Sequence, residues 1–234
     1  MNDKLSSSGS TPAPRSRARE RGAETRASLV QAGLTLFARR GFDGTSIREV
    51  TREAGVNLGA VTYHFGSKRK LYETVLEAGL SPLVDRVEEA AHREGPALDR
   101  IDAVVDVFFD HLAANPALPH LLLQEVAAGK RPPDVVISIL RRNVANLLAI
   151  LSEGWAQGSI RSPSSQSGAE AGGQHPVLFA LSVASQPIYL SVISPLLKEV
   201  GGLDLQDDDT RRLVAHHVKT FVRAGLESRE ESHP

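Results

Sequence analysis

Residues 45–71 read TSIREVTREAGVNLGAVTYHFGSKRKL. Ser46-Ile47-Arg48-Glu49 has capping-box spacing, in which a serine and a glutamate three residues later satisfy each other's backbone N–H groups. A helix is therefore expected to begin at Ser46, with Ile47, Val50 and Ala54 on one side. Gly55 ends it and supplies a tight turn, and Asn57 is a good side-chain cap for a short helix running to about Phe65. Gly66-Ser67 breaks and recaps the chain, and another helix opens at Lys68. Two short helices across a glycine turn make a helix-turn-helix, whose second helix enters the major groove of DNA. Val56, Val61 and Phe65 are expected to pack inward, and Leu58, Gly59, Thr62 and Tyr63 to face out. Small residues at Gly59 and Ala60 would let the helix backbone approach base edges closely.

Upstream, Leu29, Gly33, Leu36 and Phe37 recur at helical spacing, and this helix is expected to stop at Arg40-Gly41. Residues 1–22 are rich in Ser, Pro and Arg, with little apolar content, and read as a disordered basic arm. The arginines at 15, 17, 19 and 21 fit either an arm that reaches DNA or a solvated linker. Downstream of Ser67, Lys68, Arg69 and Lys70 place three cations at a helix N-terminus. Each opposes the macrodipole by roughly 0.3–1 kcal/mol when exposed, and a nearby phosphate would reverse that sign.

The rest of the chain is also helical. Ile101, Val104, Val105, Phe108, Phe109 and Leu112 follow the 3.6-residue period, as do Val136, Ile139, Leu140, Val144, Leu147, Leu148, Leu151 and Trp155. A final helix shows Leu213, Val214, Val218, Phe221 and Val222, with Asp207-Asp208-Asp209 ahead of it where the macrodipole favours negative charge. Residues 158–173 are Ser- and Gly-rich and read as a long mobile loop. Residues 176–197 carry no charged side chain, but five polar side chains and the internal Pro187 and Pro195 favour a buried or dimer-interface helix over a membrane span. The expected class is all-α, divided into an arm (1–22), a helix-turn-helix domain (23–70) and a helical body (71–230).

Composition narrows the function. The 41% hydrophobic and 24% charged content is that of an ordinary globular chain. The absence of cysteine excludes a disulfide framework, thiolate zinc and a cysteine nucleophile, and it fits a reducing cytosol. The first ten residues lack the apolar run of a secretory leader, so a cytoplasmic protein is expected. The net charge is only −1, yet residues 1–70 hold 13 Lys and Arg against 6 acids, and the remainder holds 14 against 22. A basic N-terminal third on an acidic body suggests an anionic partner at one end. No G-x-S-x-G, Walker loop or G-x-G-x-x-G occurs, so no enzyme is expected. His216 and His217 are adjacent and diverge on a helix, and no metal or cofactor is expected.

From about Glu24 to Leu76 the chain resembles the DNA-binding domain of TetR-type transcription regulators. The resembling residues are Ala32–Phe37, Gly41-Phe42, Thr45-Ser46-Ile47, Ala54-Gly55-Val56, Gly59-Ala60-Val61-Thr62-Tyr63-His64-Phe65, Lys68 and Leu71. The resemblance covers about a quarter of the chain. It implies base-edge reading by Arg48, Leu58, Gly59 and Thr62, and phosphate contact by Ser46, Tyr63, His64 and Lys68. Asn57 joins the DNA-binding set. Lys70 stands where the family often has an acid, and Thr62 where an aromatic is common. The C-terminal half is loosely similar to the CecR-like branch.

The resemblance further implies an all-helical body that binds a small molecule and forms a two-fold dimer through its last two long helices, here about 175–200 and 208–226. Candidate ligand-lining residues are Phe108, Leu112, His120, Gln124, Trp155 and Phe179, with Phe109, Leu121, Leu148 and Tyr189 beside them. His120, Gln124 and Trp155 each bring a polar handle into an apolar helix. The functional expectation is a ligand-responsive, homodimeric repressor on a double-stranded, pseudo-palindromic operator. The alternatives are a DNA-binding regulator without a small-molecule effector and, more distantly, a helical enzyme.

Overall fold

The structure, a computed structural model, describes residues 14–129, 131–161 and 175–227. The described residues are all-helical, with no strand and one bridge between Ile160 and Glu227. Three helices precede the body: α1 (Pro14–Arg40), α2 (Ile47–Glu53) and α3 (Gly59–Phe65). Then follow α4 (Lys68–Ala91), α5 (Ala97–Ala114), α6 (Leu118–Ala127), α7 (Asp134–Ala156), α8 (Pro176–Val192), α9 (Ser194–Gly201) and α10 (Asp208–Leu226).

The stop and start signals act as their chemistry dictates. Gly41 takes φ 68° after α1, and Gly55 takes φ 67° in the turn after α2, a region open to glycine. At α2 the capping box is complete: Ser46 Oγ accepts from the Glu49 N–H, and the Ser46 N–H donates to Glu49 at 2.9 Å. Ser67 Oγ accepts from the Lys70 N–H, capping α4, and Asp207 accepts from the Thr210 N–H at 2.8 Å, capping α10.

Three expectations need correction. First, α1 begins at Pro14, well inside the segment read as a disordered arm. Proline suits a first helical turn, and the Arg, Ala and Glu that follow are good helix formers. Residues 1–13 lie outside the described residues, as does most of the loop expected at 158–173. Second, α3 begins at Gly59, with Leu58 in the capping position and no side-chain cap bond. Asn57 contributes its backbone carbonyl to the Ala60 N–H at 3.1 Å rather than its side chain. Third, the long helix expected over 175–200 is two helices, bent by 69° where α8 meets α9. Pro195, in the first turn of α9, has no N–H to continue the ladder of α8.

One continuous core joins the two domains. Leu29, Phe37, Val50 and Val61 meet Leu71, Tyr72 and Leu76 of α4, whose later turns pack on α5 and α7. Phe37 meets Tyr72 edge-on with ring centroids 4.8 Å apart, and Phe42 lies 5.1 Å from Tyr72. Helix α7 is long and apolar enough to cross a bilayer by length and composition, but Val136, Ile139, Leu147, Ile150 and Leu151 are buried within the bundle.

On its polar side α5 carries Asp99, Asp102, Asp106 and Asp110, which face Arg223, Lys219 and Arg211 of the antiparallel α10. Lys219 Nζ reaches Asp106 at 2.8 Å, and Arg223 Nε reaches Asp102 at 2.9 Å. The hydrogen bond to Asp102, followed by that to Asp99, raises the Arg223 pKa further above its already high value. This ladder fixes α10 against α5 over three helical turns.

Candidate nucleic-acid interface

Helix α3 divides cleanly into two faces. Val61 is 2% exposed and Ala60 8%, whereas Tyr63 is 84% exposed and Leu58 50%. Asn57, Gly59 and Thr62 are exposed with them, and Arg48 and Ser46 lie exposed on the neighbouring α2 and its cap. Val56 and Phe65 are half-buried against the core, as expected. Ala60 departs from the reading: its small side chain points into the domain, so it serves packing rather than approach to bases.

Gly59 is different. A methyl group built there would meet only Asn57 Oδ1, at 3.4 Å, an ordinary contact. Folding therefore does not demand glycine at this exposed position. Glycine near a helix start with free space around it suits close approach by an outside surface.

The polar residues of the interface are partly engaged within the chain. Ser46 Oγ also donates to Glu49 at 2.7 Å, and Arg40 forms an ion pair with the same carboxylate. The Ser46 bonds, with Arg40 behind them, hold the Glu49 pKa down at about 2. Ser46 is thus first a helix cap, and a phosphate contact there shares an occupied hydroxyl. His64 is half-buried, with Tyr63 edge-on at 4.9 Å.

The three cations opening α4 are also accommodated. Lys68 Nζ sits 4.3 Å from the Phe42 ring centroid and the Arg69 guanidinium 4.9 Å from it, while Lys70 pairs with Glu73 at 2.7 Å. Cation–π attraction and an i,i+3 ion pair offset the macrodipole conflict without any bound anion. The unfavourable charge placement therefore does not by itself require a phosphate, and Lys68's phosphate role rests on its place beside α3.

Two supports were not legible beforehand. Thr45 is 2% exposed and its hydroxyl donates to the carbonyls of Leu36 and Gly41, at 3.2 and 2.9 Å, tying the end of α1 to the start of α2. Phe42 carries the two cations. Its position after the terminal glycine hinted at a packing role, but partners 26 and 27 positions away cannot be read from local spacing.

The expected ligand-lining residues do not gather at one site. Phe108 is a core residue, 2% exposed. Leu112, Phe109 and His120 line a cleft of about 380 Å³ with Ser191, Pro195 and Leu205, at the break between α8 and α9. Trp155 and Phe179 pack edge-on, ring centroids 6.1 Å apart, away from that cleft's lining. The buried Trp155 Nε1 has no hydrogen-bond partner among the described residues. Phe179 lines a separate groove of about 400 Å³ between α8 and α10, with Phe221 and Gln186. Gln124 is the clearest departure. It is exposed on α6 and its side-chain oxygen lies 3.1 Å from where a Gly41 side chain would begin, so it faces the end of α1 rather than a body cavity. Helical periodicity does not distinguish which neighbour a half-polar helix faces.

Residues 29–75 match the family model for bacterial regulatory proteins of the tetR family. The N-terminal domain thus resembles the DNA-binding domain of that family. The HTH-type transcriptional repressor KstR2 of Mycolicibacterium smegmatis is 28% identical over 141 residues, covering 59% of this chain and 69% of KstR2. The HTH-type transcriptional activator FasR of the same organism is 33% identical over 89 residues, covering 38% of this chain and 41% of FasR. The match to FasR thus spans less than half of that relative. A tetR-family regulatory protein from Rhodococcus RHA1 shares the fold along most of both chains, with a TM-score of 0.68, 19% identity, and 88% of this chain and 98% of that one covered. These relatives and fold neighbours are transcription regulators and not enzymes.

Proposed function

We propose that this chain is a homodimeric, ligand-responsive transcription regulator, a cytoplasmic repressor that leaves a pseudo-palindromic operator when a small molecule binds its helical body. The observation that carries the DNA-binding part is the exposed face of α3, where Leu58, Gly59, Thr62 and Tyr63 stand free on a helix-turn-helix. In this reading Arg48, Leu58, Gly59 and Thr62 meet base edges, and Tyr63, His64, Lys68 and Ser46 meet phosphates, with Asn57 at the entry to the recognition helix.

Dimerisation is supported by apolar side chains left in solvent on α8 and α10. Leu178 is 57% exposed, Tyr189 62%, Leu213 60% and Phe221 65%. An exposed apolar face of this kind marks an interaction surface. A two-fold dimer would set two recognition helices about 34–36 Å apart, one turn of DNA. The cleft at the α8–α9 break supports an effector site, with an apolar floor of Phe109 and Leu112 and a polar rim of His120, Ser191 and Gln206. Its walls include α6, whose far end abuts the DNA-binding domain. A ligand acts there only by binding one arrangement of these helices more tightly than the other. The likeness of the C-terminal half to the CecR-like branch rests on sequence alone.

Selection from a pool of random duplexes tests the reading. The expected product is an inverted repeat with half-sites centred 10–10.5 base pairs apart, or a multiple of that. A pool that stays random after selection would contradict sequence-specific regulation.

A further inference from the structure

Helix α1 extends upstream of the segment matched by the family model, which begins at residue 29. This extension does not stand apart from the recognition helix. A side chain built at Gly22 would lie 4.0 Å from His64 Cε1, and the Arg26 guanidinium covers the Phe65 ring 5.3 Å from its centroid. One stripe of α1 thus runs against the C-terminal half of α3. Helical register continues that stripe from Arg26 and Gly22 to Arg19, three residues before Gly22. From Gly22 back to Pro14 the helix advances roughly 12 Å, at about 1.5 Å per residue.

Charge along the extension is strongly one-sided. Residues 14–26 hold five arginines (15, 17, 19, 21 and 26) against Glu20 and Glu24. Arg19 and Arg21 are exposed, and neither forms an ion pair with a described residue. They differ in this from Lys68, Arg69 and Lys70, whose cations are matched inside the chain.

We propose that the N-terminal part of α1 forms a second DNA-backbone surface, continuous with α3, in which Arg19 neutralises a phosphate flanking the bases that α3 reads. This rests on the DNA-binding reading of α3, extends the interface to a segment the family model does not reach, and replaces the disordered arm expected from sequence with a helical one. Backbone contacts of this kind add affinity without sequence information, and each neutralised phosphate steepens the salt dependence of binding.

The test uses the full chain and fluorescence anisotropy across a salt series, on a mixed-sequence 30-base-pair duplex and on any selected operator. Arg19→Ala is compared with Arg141→Ala, which removes equal charge from an exposed position elsewhere. The expected result is a log K against log salt slope shallower by about 0.9 per bound protomer in the first variant, with equal loss on both duplexes, and little change in the second. An unchanged slope, an equal change in the control variant, or a loss confined to the operator would overturn the proposal. Because the mixed-sequence duplex needs no operator, the comparison decides this point even if sequence-specific binding fails.

Discussion

The phenol of Tyr72, in the second turn of α4, donates a hydrogen bond to the carboxylate of Glu125 near the end of α6. Tyr72 is 1% exposed, and burial followed by the Glu125 interaction pushes its pKa far up, so the phenol is a permanent donor. Its ring also packs on Phe37 and Phe42, and Phe42 supports Lys68 and Arg69. A physical path therefore runs from the body, through Glu125, Tyr72 and Phe42, to the cations beside the recognition helix.

Tyr72→Phe leaves the ring packing intact and strips Glu125 of this donor. Hydrogen bonds to charged groups contribute about 1.5–3 kcal/mol, so urea unfolding is expected to show a loss of that order. Glu125→Gln keeps an acceptor and should lose less. A Tyr72→Phe variant as stable as wild type would contradict the latch.

His111 gives the fold a pH dependence. It is 5% exposed on α5 and its Nε2 meets the Gly79 carbonyl of α4 at 2.9 Å, as a neutral ring donating its proton. Burial lowers its pKa below the ordinary 6.5, and the nearby Arg86 charge adds to this. The unfolded chain therefore takes up the proton first on acidification. This contribution to stability is intact above pH 6.5 and is lost as pH falls from there toward the depressed folded value. Thermal melts of wild type at pH 7.5 and 5.5 should show the drop, and His111→Gln should reduce it. An equal drop in both proteins would assign the effect to other groups.

The ladder between α5 and α10 should matter most at Arg223, which serves both Asp99 and Asp102. Asp102 Oδ1 already lacks a partner among the described residues, so Arg223→Met would leave a largely buried carboxylate unpaired. A loss of about 1–2 kcal/mol is expected, between the values for exposed and buried pairs. Denaturant titration of Arg223→Met beside Lys219→Met checks it, with the larger loss expected at Arg223.

Dimerisation is tested at Phe221, which is 65% exposed on α10. Phe221→Glu should leave the monomer folded, since the side chain supports no core, and shift sedimentation from dimer to monomer. A dimer of unchanged affinity would move the interface elsewhere.

The sequence made the N-terminal domain nearly complete before any coordinates. Its signals are local: a capping box at Ser46 and Glu49, glycines at 41, 55 and 66, and a strong inside-outside split over Leu58–Phe65. The end of α1 at Arg40 and the exposure of Tyr63 followed from them. The same reading missed the start of α1, because arginine-rich composition looks alike in a solvated helix and a loose arm. It also missed the α8–α9 break, because Pro195 weighs there only against a membrane span and not as the start of a new helix. The effector candidates scattered for a different reason. His120, Gln124 and Trp155 were chosen for polarity within apolar helices, but which surface each meets depends on packing between elements far apart in sequence, as the contact of Gln124 with Gly41 illustrates.

The most direct test of the central claim separates DNA binding from folding at Gly59 and Tyr63. Both are exposed on α3, and the fold makes no demand on either. Fluorescence anisotropy with the selected operator and a scrambled duplex, for wild type, Gly59→Leu and Tyr63→Ala, would be read beside thermal melts of the same proteins. Wild type should prefer the operator, and both variants should lose that preference at least tenfold while melting within a few degrees of wild type. Variants that fold normally and bind the operator as tightly as wild type would contradict the assignment of α3 as the DNA-reading helix.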